Sequence, residues 1–121
     1  MHKILVVEDS SFQRRIIRET VSVEGRQVFE ASNVDDALKI IQSQKLDLIL
    51  SDILMPVKTG IDLLKQLKAD GVKIPVIMLS ADIQEPVRKE CMDLGAVGFI
   101  SKPLAGDSLK TLNVLLSEYL G

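Results

Sequence analysis

The sequence predicts an α/β domain, a doubly wound five-stranded parallel sheet in a single domain over residues 1–121. Three observations predict it. Short apolar runs and amphipathic stretches alternate five times along the chain with brief connections, the pattern of a parallel sheet covered by helices on both faces. The runs Ile4-Leu5-Val6-Val7, Leu48-Ile49-Leu50 and Val76-Ile77-Met78-Leu79 are continuously apolar, as strands buried on both faces must be. A chain of 121 residues can also bury roughly two thirds of its unfolded surface in one core without disulfide or structural metal.

Taken in order, Ile4 to Val7 form the first strand, which ends in Glu8-Asp9. Ser10-Ser11 can cap the helix that follows, with Phe12, Ile16, Ile17 and Thr20 as its core face and Arg14, Arg15, Arg18 and Glu19 outside. Gly25-Arg26 turn the chain into Gln27-Val28-Phe29-Glu30-Ala31, whose alternation suits a strand at a sheet edge. Ser32-Asn33 cap a helix built on Val34, Ala37, Leu38 and Ile41, with Asp35 and Asp36 where the helix dipole favours acids.

The third strand, Leu48-Ile49-Leu50-Ser51, delivers Asp52 to its end, and Pro56 stops the run. Gly60 opens a helix carried by Ile61, Leu64 and Leu67 that finishes near Asp70-Gly71. Val76 to Leu79 form the fourth strand, followed by Ser80-Ala81-Asp82. A helix from about Glu85 turns Val87, Cys91 and Leu94 inward, and Gly95 is its expected C-cap. Val97 to Ser101 form the last strand, Lys102-Pro103 follow, and the final helix shows Leu109, Leu112, Leu115, Leu116, Tyr119 and Leu120. That is more apolar than a single buried stripe requires, so this helix is expected to pack on a twin or a target as well.

A net charge of −2 argues against nucleic-acid binding by this domain, which needs a basic field. The lone Cys91 sits in a helical apolar pattern and reads as a small core residue. No run reaches the ~20 residues of a membrane span, and the first apolar run is too short for a signal peptide, so the expected compartment is the cytoplasm. No further domain follows Gly121, so the chain is read as a free-standing domain or a fragment of a longer one.

In an open parallel sheet, ligands bind beyond the carboxyl ends of the strands. Four of the five runs end there in chemically capable side chains: Glu8 and Asp9, Asp52, Ser80 and Lys102. Singly, each reads as a cap or a loop residue. Together they bring acids close enough to repel, and a cation or shared protons would relieve that. Oxygen ligands without Cys or His point to Mg2+ or Mn2+. A carboxylate beside such an ion can receive a phosphoryl group: the metal and Lys102 neutralise its oxygens, Ser80 donates a hydrogen bond and Asp52 attacks in line.

Four stretches, Val6-Val7-Glu8-Asp9, Ser51-Asp52-Ile53-Leu54-Met55-Pro56 with Gly60, Leu79-Ser80-Ala81, and Ser101-Lys102-Pro103, resemble the receiver domains of two-component response regulators. The resemblance covers essentially the whole chain and implies the flavodoxin-like strand order 2-1-3-4-5, the order of the chemotaxis receiver. It implies Asp52 as phosphoacceptor, Asp9, Asp52 and the backbone carbonyl of Leu54 as Mg2+ ligands, and Glu8 acting through metal-bound water. Ser80 becomes the switch hydroxyl, Lys102 the phosphate partner, Phe99 the aromatic that moves inward when Ser80 engages the phosphate, and Lys102-Pro103 a cis peptide. Leu54 and Asp82 occupy the positions that tune water access to the acyl phosphate. Leu54 lacks a polar group to orient water, and Phe99 lacks a tyrosine's outward hydrogen bond.

The implied function is a phosphorylation-gated switch rather than an enzyme with an outside substrate. A histidine kinase or phosphotransfer protein would supply the phosphoryl group, and a downstream target or output domain would read the change. The reading face lies on the helix from Glu85, the last strand and the last helix, with Arg88, Lys89, Asp93, Lys110, Glu118, Tyr119 and Leu120, and its expected partner is either a target or a second copy of the chain in a homodimer. No membrane partner is expected. A dehalogenase-type phosphatase would carry Asp-x-Asp, whereas Asp52 is followed by Ile53-Leu54. A mononucleotide binder would need a phosphate loop where Glu8-Asp9 stand, because those acids repel phosphate. An inert pseudo-receiver should lack a site residue, and none is missing.

Overall fold

The computed structural model describes residues 1–81 and 84–121. Strands and helices alternate as β1 (His2–Val7), α1 (Ser11–Val21), β2 (Arg26–Ala31), α2 (Val34–Ser43), β3 (Leu48–Asp52), α3 (Gly60–Ala69), β4 (Val76–Ser80), α4 (Glu85–Asp93), β5 (Gly98–Ser101) and α5 (Gly106–Leu120). All strand pairings are parallel, and the spatial order is β2-β1-β3-β4-β5, as the resemblance implied.

Strand side chains alternate between two faces, and each face has its own helices. Ile4, Val6, Leu48, Leu50, Ile77 and Leu79 pack with Ile17 and Val21 of α1 and with Leu112, Leu116 and Leu120 of α5. Leu5, Val7, Ile49 and Met78 pack on the other face against Ala37 of α2, Leu63 and Leu67 of α3, and Cys91 of α4. This double cover is why the central runs are continuously apolar. Each fully buried Leu or Ile contributes about 1.5–3 kcal/mol. At the edge, β2 keeps only Ala31 fully buried.

Local chemistry sets the helix starts. Ser10 Oγ accepts from the Gln13 N–H and Asn33 Oδ1 from the Asp36 N–H. Gly60 is the first residue of α3, but the cap is Thr59, which forms a complete capping box with Asp62. Leu94 caps the end of α4, and Gly95 follows it at φ +103°, a conformation that costs glycine little. The fully buried Cys91 is a core residue, and its burial pushes the thiol above its ordinary range.

Two expectations change. The core face of α1 is not Phe12, Ile16, Ile17 and Thr20: Phe12 is 68% and Ile16 43% exposed, while Ile17 and Val21 are buried. The cause is Arg14, drawn inward because its guanidinium donates to the Glu8 carbonyl at 2.8 Å and pairs with Glu30 at 3.2 Å. The inward stripe therefore runs through Arg14, Ile17 and Val21. In α5, the apolar surplus is largely used inside the domain. Leu112, Leu116 and Leu120 are buried, and Leu115 reaches the space that Gly98 leaves without a Cβ. The large apolar side chains α5 leaves exposed are Val114 and Tyr119. Among the described residues no helix is long and apolar enough to cross a membrane.

Candidate functional site

Parallel pairing fixes how the strand ends are staggered. Val7 lies opposite Ser51, and Asp52 opposite Leu79, so Glu8 falls beside Asp52 and Ser80 lies one step beyond it. Ser80 in turn lies opposite Ser101, which puts Lys102 one step further. The chain thus brings residues from the ends of four strands to one sheet edge, where an open cleft of about 590 Å³ is lined by Glu8, Asp9, Asp52, Leu54, Ala81, Lys102 and Leu104, among others.

Lys102 is the hub. Its Nζ donates to Glu8 Oε1 at 2.5 Å and to Gln13 Oε1 at 2.7 Å, and lies 3.0 Å from Asp52 Oδ2. Burial works against its charge, but the hydrogen bonds to Glu8 and Asp52 outweigh burial and hold the ammonium above its ordinary range. Glu8 is buried, and its second oxygen accepts from the Ser10 N–H at 3.2 Å. Asp52 Oδ1 accepts from the Ile53 N–H at 2.8 Å, and the Ser51 hydroxyl donates to the Asp52 carbonyl at 2.9 Å. Asp9 is exposed, yet desolvation and the neighbouring Glu8 carboxylate raise its carboxyl above the usual range.

Glu8, Asp9 and Asp52 each offer a carboxylate oxygen within 4.8 Å of the others. One ammonium does not neutralise three carboxylates, so the cluster retains attraction for a cation. An all-oxygen donor set fits Mg2+.

A family model described as the response regulator receiver domain matches residues 4–113. The chain belongs to this receiver-domain family. Receiver domains of two-component systems are phosphorylation-gated switches that bind Mg2+ at an acidic pocket, here Glu8, Asp9 and Asp52. The chain is 36% identical over 124 residues to the protein-glutamate methylesterase/protein-glutamine glutaminase of Treponema denticola, covering 98% of this chain and 33% of that protein. It therefore spans about a third of that relative's length. Among solved receivers, the Vibrio cholerae chemotaxis protein CheY4 matches with a TM-score of 0.85 at 32% identity, over 96% of this chain and 99% of that one. The Thermotoga maritima response regulator protein TrrA in complex with Mg(2+)-BeF matches with a TM-score of 0.81 at 28% identity, over 96% and 99%.

In this receiver domain Glu8, Asp9, Asp52 and Lys102 come together in the cleft, and Leu54, 66% exposed, lines it. Ser80 is buried at the tip of β4, with its carbonyl accepting from the Lys102 N–H at 2.8 Å. Phe99 is half-buried and packs on the α2–α3–α4 side of the core. The Lys102-Pro103 bond is cis. Asp82 lies outside the described residues.

Sequence reasoning missed Gln13, whose side chain reaches Lys102, and Arg14, which holds the Glu8 carbonyl. A signal for Gln13 was present: Ser10-x-x-Gln13 is a capping-box pattern. It pointed to a local cap, however, and not to a residue 89 positions away.

Proposed function

We propose that Asp52 accepts a phosphoryl group from a histidine kinase or phosphotransfer protein and that the modification shifts the surface formed by α4, β5 and α5 toward a form read by a partner or output domain. The observation that carries this reading is Lys102 Nζ placed 3.0 Å from Asp52 Oδ2 at the mouth of an acidic cleft. In that place it can neutralise a phosphoryl oxygen on the same carboxylate.

A carboxylate oxygen of Asp52 attacks phosphorus. The donor P–N bond of a phosphohistidine, or the P–O bond of a small donor, breaks as the new P–O bond forms, and the donor leaves with the electron pair. Asp9, Asp52 and the Leu54 carbonyl would hold Mg2+, which when bound supplies charge neutralisation at the phosphoryl oxygens. Glu8 acts through water, consistent with its two oxygens being engaged by Lys102 and Ser10. That the similar Thermotoga maritima response regulator protein TrrA is in complex with Mg(2+)-BeF supports a metal ion and a phosphoryl mimic as ligands for a domain of this kind. Ser80 then turns to the phosphoryl group, and Phe99 moves inward. The result is a shift between two populations of one surface.

Acetyl phosphate with Mg2+, followed by intact-mass measurement, tests this. One added phosphoryl group that disappears in Asp52→Ala is the expected result. No addition from acetyl phosphate or from a kinase would make the domain an inert interaction module.

A further inference from the structure

The first turn of α1 contains half of a capping box. Ser10 Oγ accepts from the Gln13 N–H at 3.3 Å, but the reciprocal bond, from the Ser10 N–H to the Gln13 side chain, is not the one the geometry uses. Glu8 Oε2 takes that N–H at 3.2 Å instead. In α3 the same device is closed in the ordinary way, with Asp62 Oδ2 accepting from the Thr59 N–H at 2.8 Å. Glu8 therefore relieves Gln13 of capping, and the Gln13 amide oxygen is free to accept from Lys102 Nζ at 2.7 Å.

A lysine ammonium has three hydrogens and accepts nothing. Glu8 and Gln13 each accept one of the Lys102 hydrogens, and Asp52 Oδ2 lies 3.0 Å away as its ion-pair partner, so three oxygens enclose the ammonium. A phosphoryl oxygen on Asp52 that approaches the ammonium competes with these oxygens for its hydrogens. Glu8 is charged, buried and also tied to Ser10. Asp52 is charged and carries the modification. Gln13 is neutral and exposed, and hydrogen bonds to neutral acceptors are the weaker ones.

We propose that Gln13 is a placeholder for the phosphoryl group: it holds one Lys102 hydrogen while Asp52 is unmodified and surrenders it to a phosphoryl oxygen afterwards. This rests on the reading of Asp52 as phosphoacceptor. Gln13 is thus a positioning residue that acts through Lys102, and it gives α1 a side chain whose partner depends on the state of Asp52.

The test is the affinity for beryllofluoride with Mg2+, followed by amide shifts of 15N-labelled protein. Gln13→Leu and Gln13→Ala remove a bond present only in the free form, so both should bind the mimic about three- to tenfold more tightly. In a Lys102→Met background the same changes should have no effect, and in the parent the Gln13 side-chain amide should shift on saturation. Weaker or unchanged binding by both variants, or a gain that survives in Lys102→Met, would overturn the placeholder role. Failure of the parent to bind beryllofluoride, or equal binding by Asp52→Ala, would overturn the reading of Asp52 and the placeholder role with it.

Discussion

Gly60 packs directly against the backbone carbonyl of Asp52, so closely that a Cβ built on Gly60 would overlap that oxygen and come within 2.7 Å of Met78 Cε. The Gly60 N–H also donates to the Ile53 carbonyl at 2.8 Å, which pins the loop after β3 to the start of α3. Gly60→Ala should therefore displace rigid backbone rather than a flexible side chain, lowering stability by about 1–3 kcal/mol. Urea unfolding checks the size, and shifted amide resonances at Asp52 and Ile53 check the location. A variant as stable as the parent would show that the loop yields easily.

Lys102 compensates the buried Glu8 carboxylate. Lys102→Met leaves that charge unpaired and should cost about 2 kcal/mol near neutral pH, less than a fully enclosed pair because the cleft is open to water. The ammonium's folded pKa is raised above 10.5. Its contribution is therefore complete below the unfolded-chain value and lost as pH rises through the higher folded value. Denaturation curves at increasing pH should show the gap between parent and variant constant up to that range and closing above it. A gap that persists at the alkaline end would contradict the assignment.

Val57 adopts φ +70° while almost completely exposed to solvent. A β-branched residue in the left-handed region costs about 1–2 kcal/mol, and here no packing offsets it. Asn tolerates this conformation without glycine's entropy cost. Val57→Asn should raise stability by about 1 kcal/mol and Tm by about 2–6 °C, as read by calorimetry. An unchanged Tm would mean the loop relaxes at no cost.

Leu54 puts an apolar side chain at the cleft where a polar one could orient water. Leu54→Asn is expected to shorten the lifetime of phosphorylated Asp52, measured as loss of the added mass after the phosphodonor is removed. The same lifetime in both proteins would assign control to another residue or to an external phosphatase.

The alternation of elements, the double burial of the central strands and the edge position of β2 were legible because each is a property of neighbours along the chain. Asp52, Glu8, Asp9, Ser80 and Lys102 were legible for a related reason. A charged or hydroxyl side chain that ends an apolar run has one place to go in a parallel sheet, the strand's carboxyl end. Gly60 was noted as a helix start, but periodicity carried no sign of the carbonyl beneath it.

By itself, then, the sequence determined the fold class, the strand ends and the residues gathered there. Only the tertiary structure decided the rotation of α1, the burial of the α5 leucines and the partner of Gln13. The physical reason is distance along the chain. Arg14 turns inward for Glu8 and Glu30, Leu115 finds the gap at Gly98, and Gln13 meets Lys102 across 89 residues. Local patterning favours a helix and an apolar face, but the contacts made when distant segments pack choose which side chains serve the core and which serve the site.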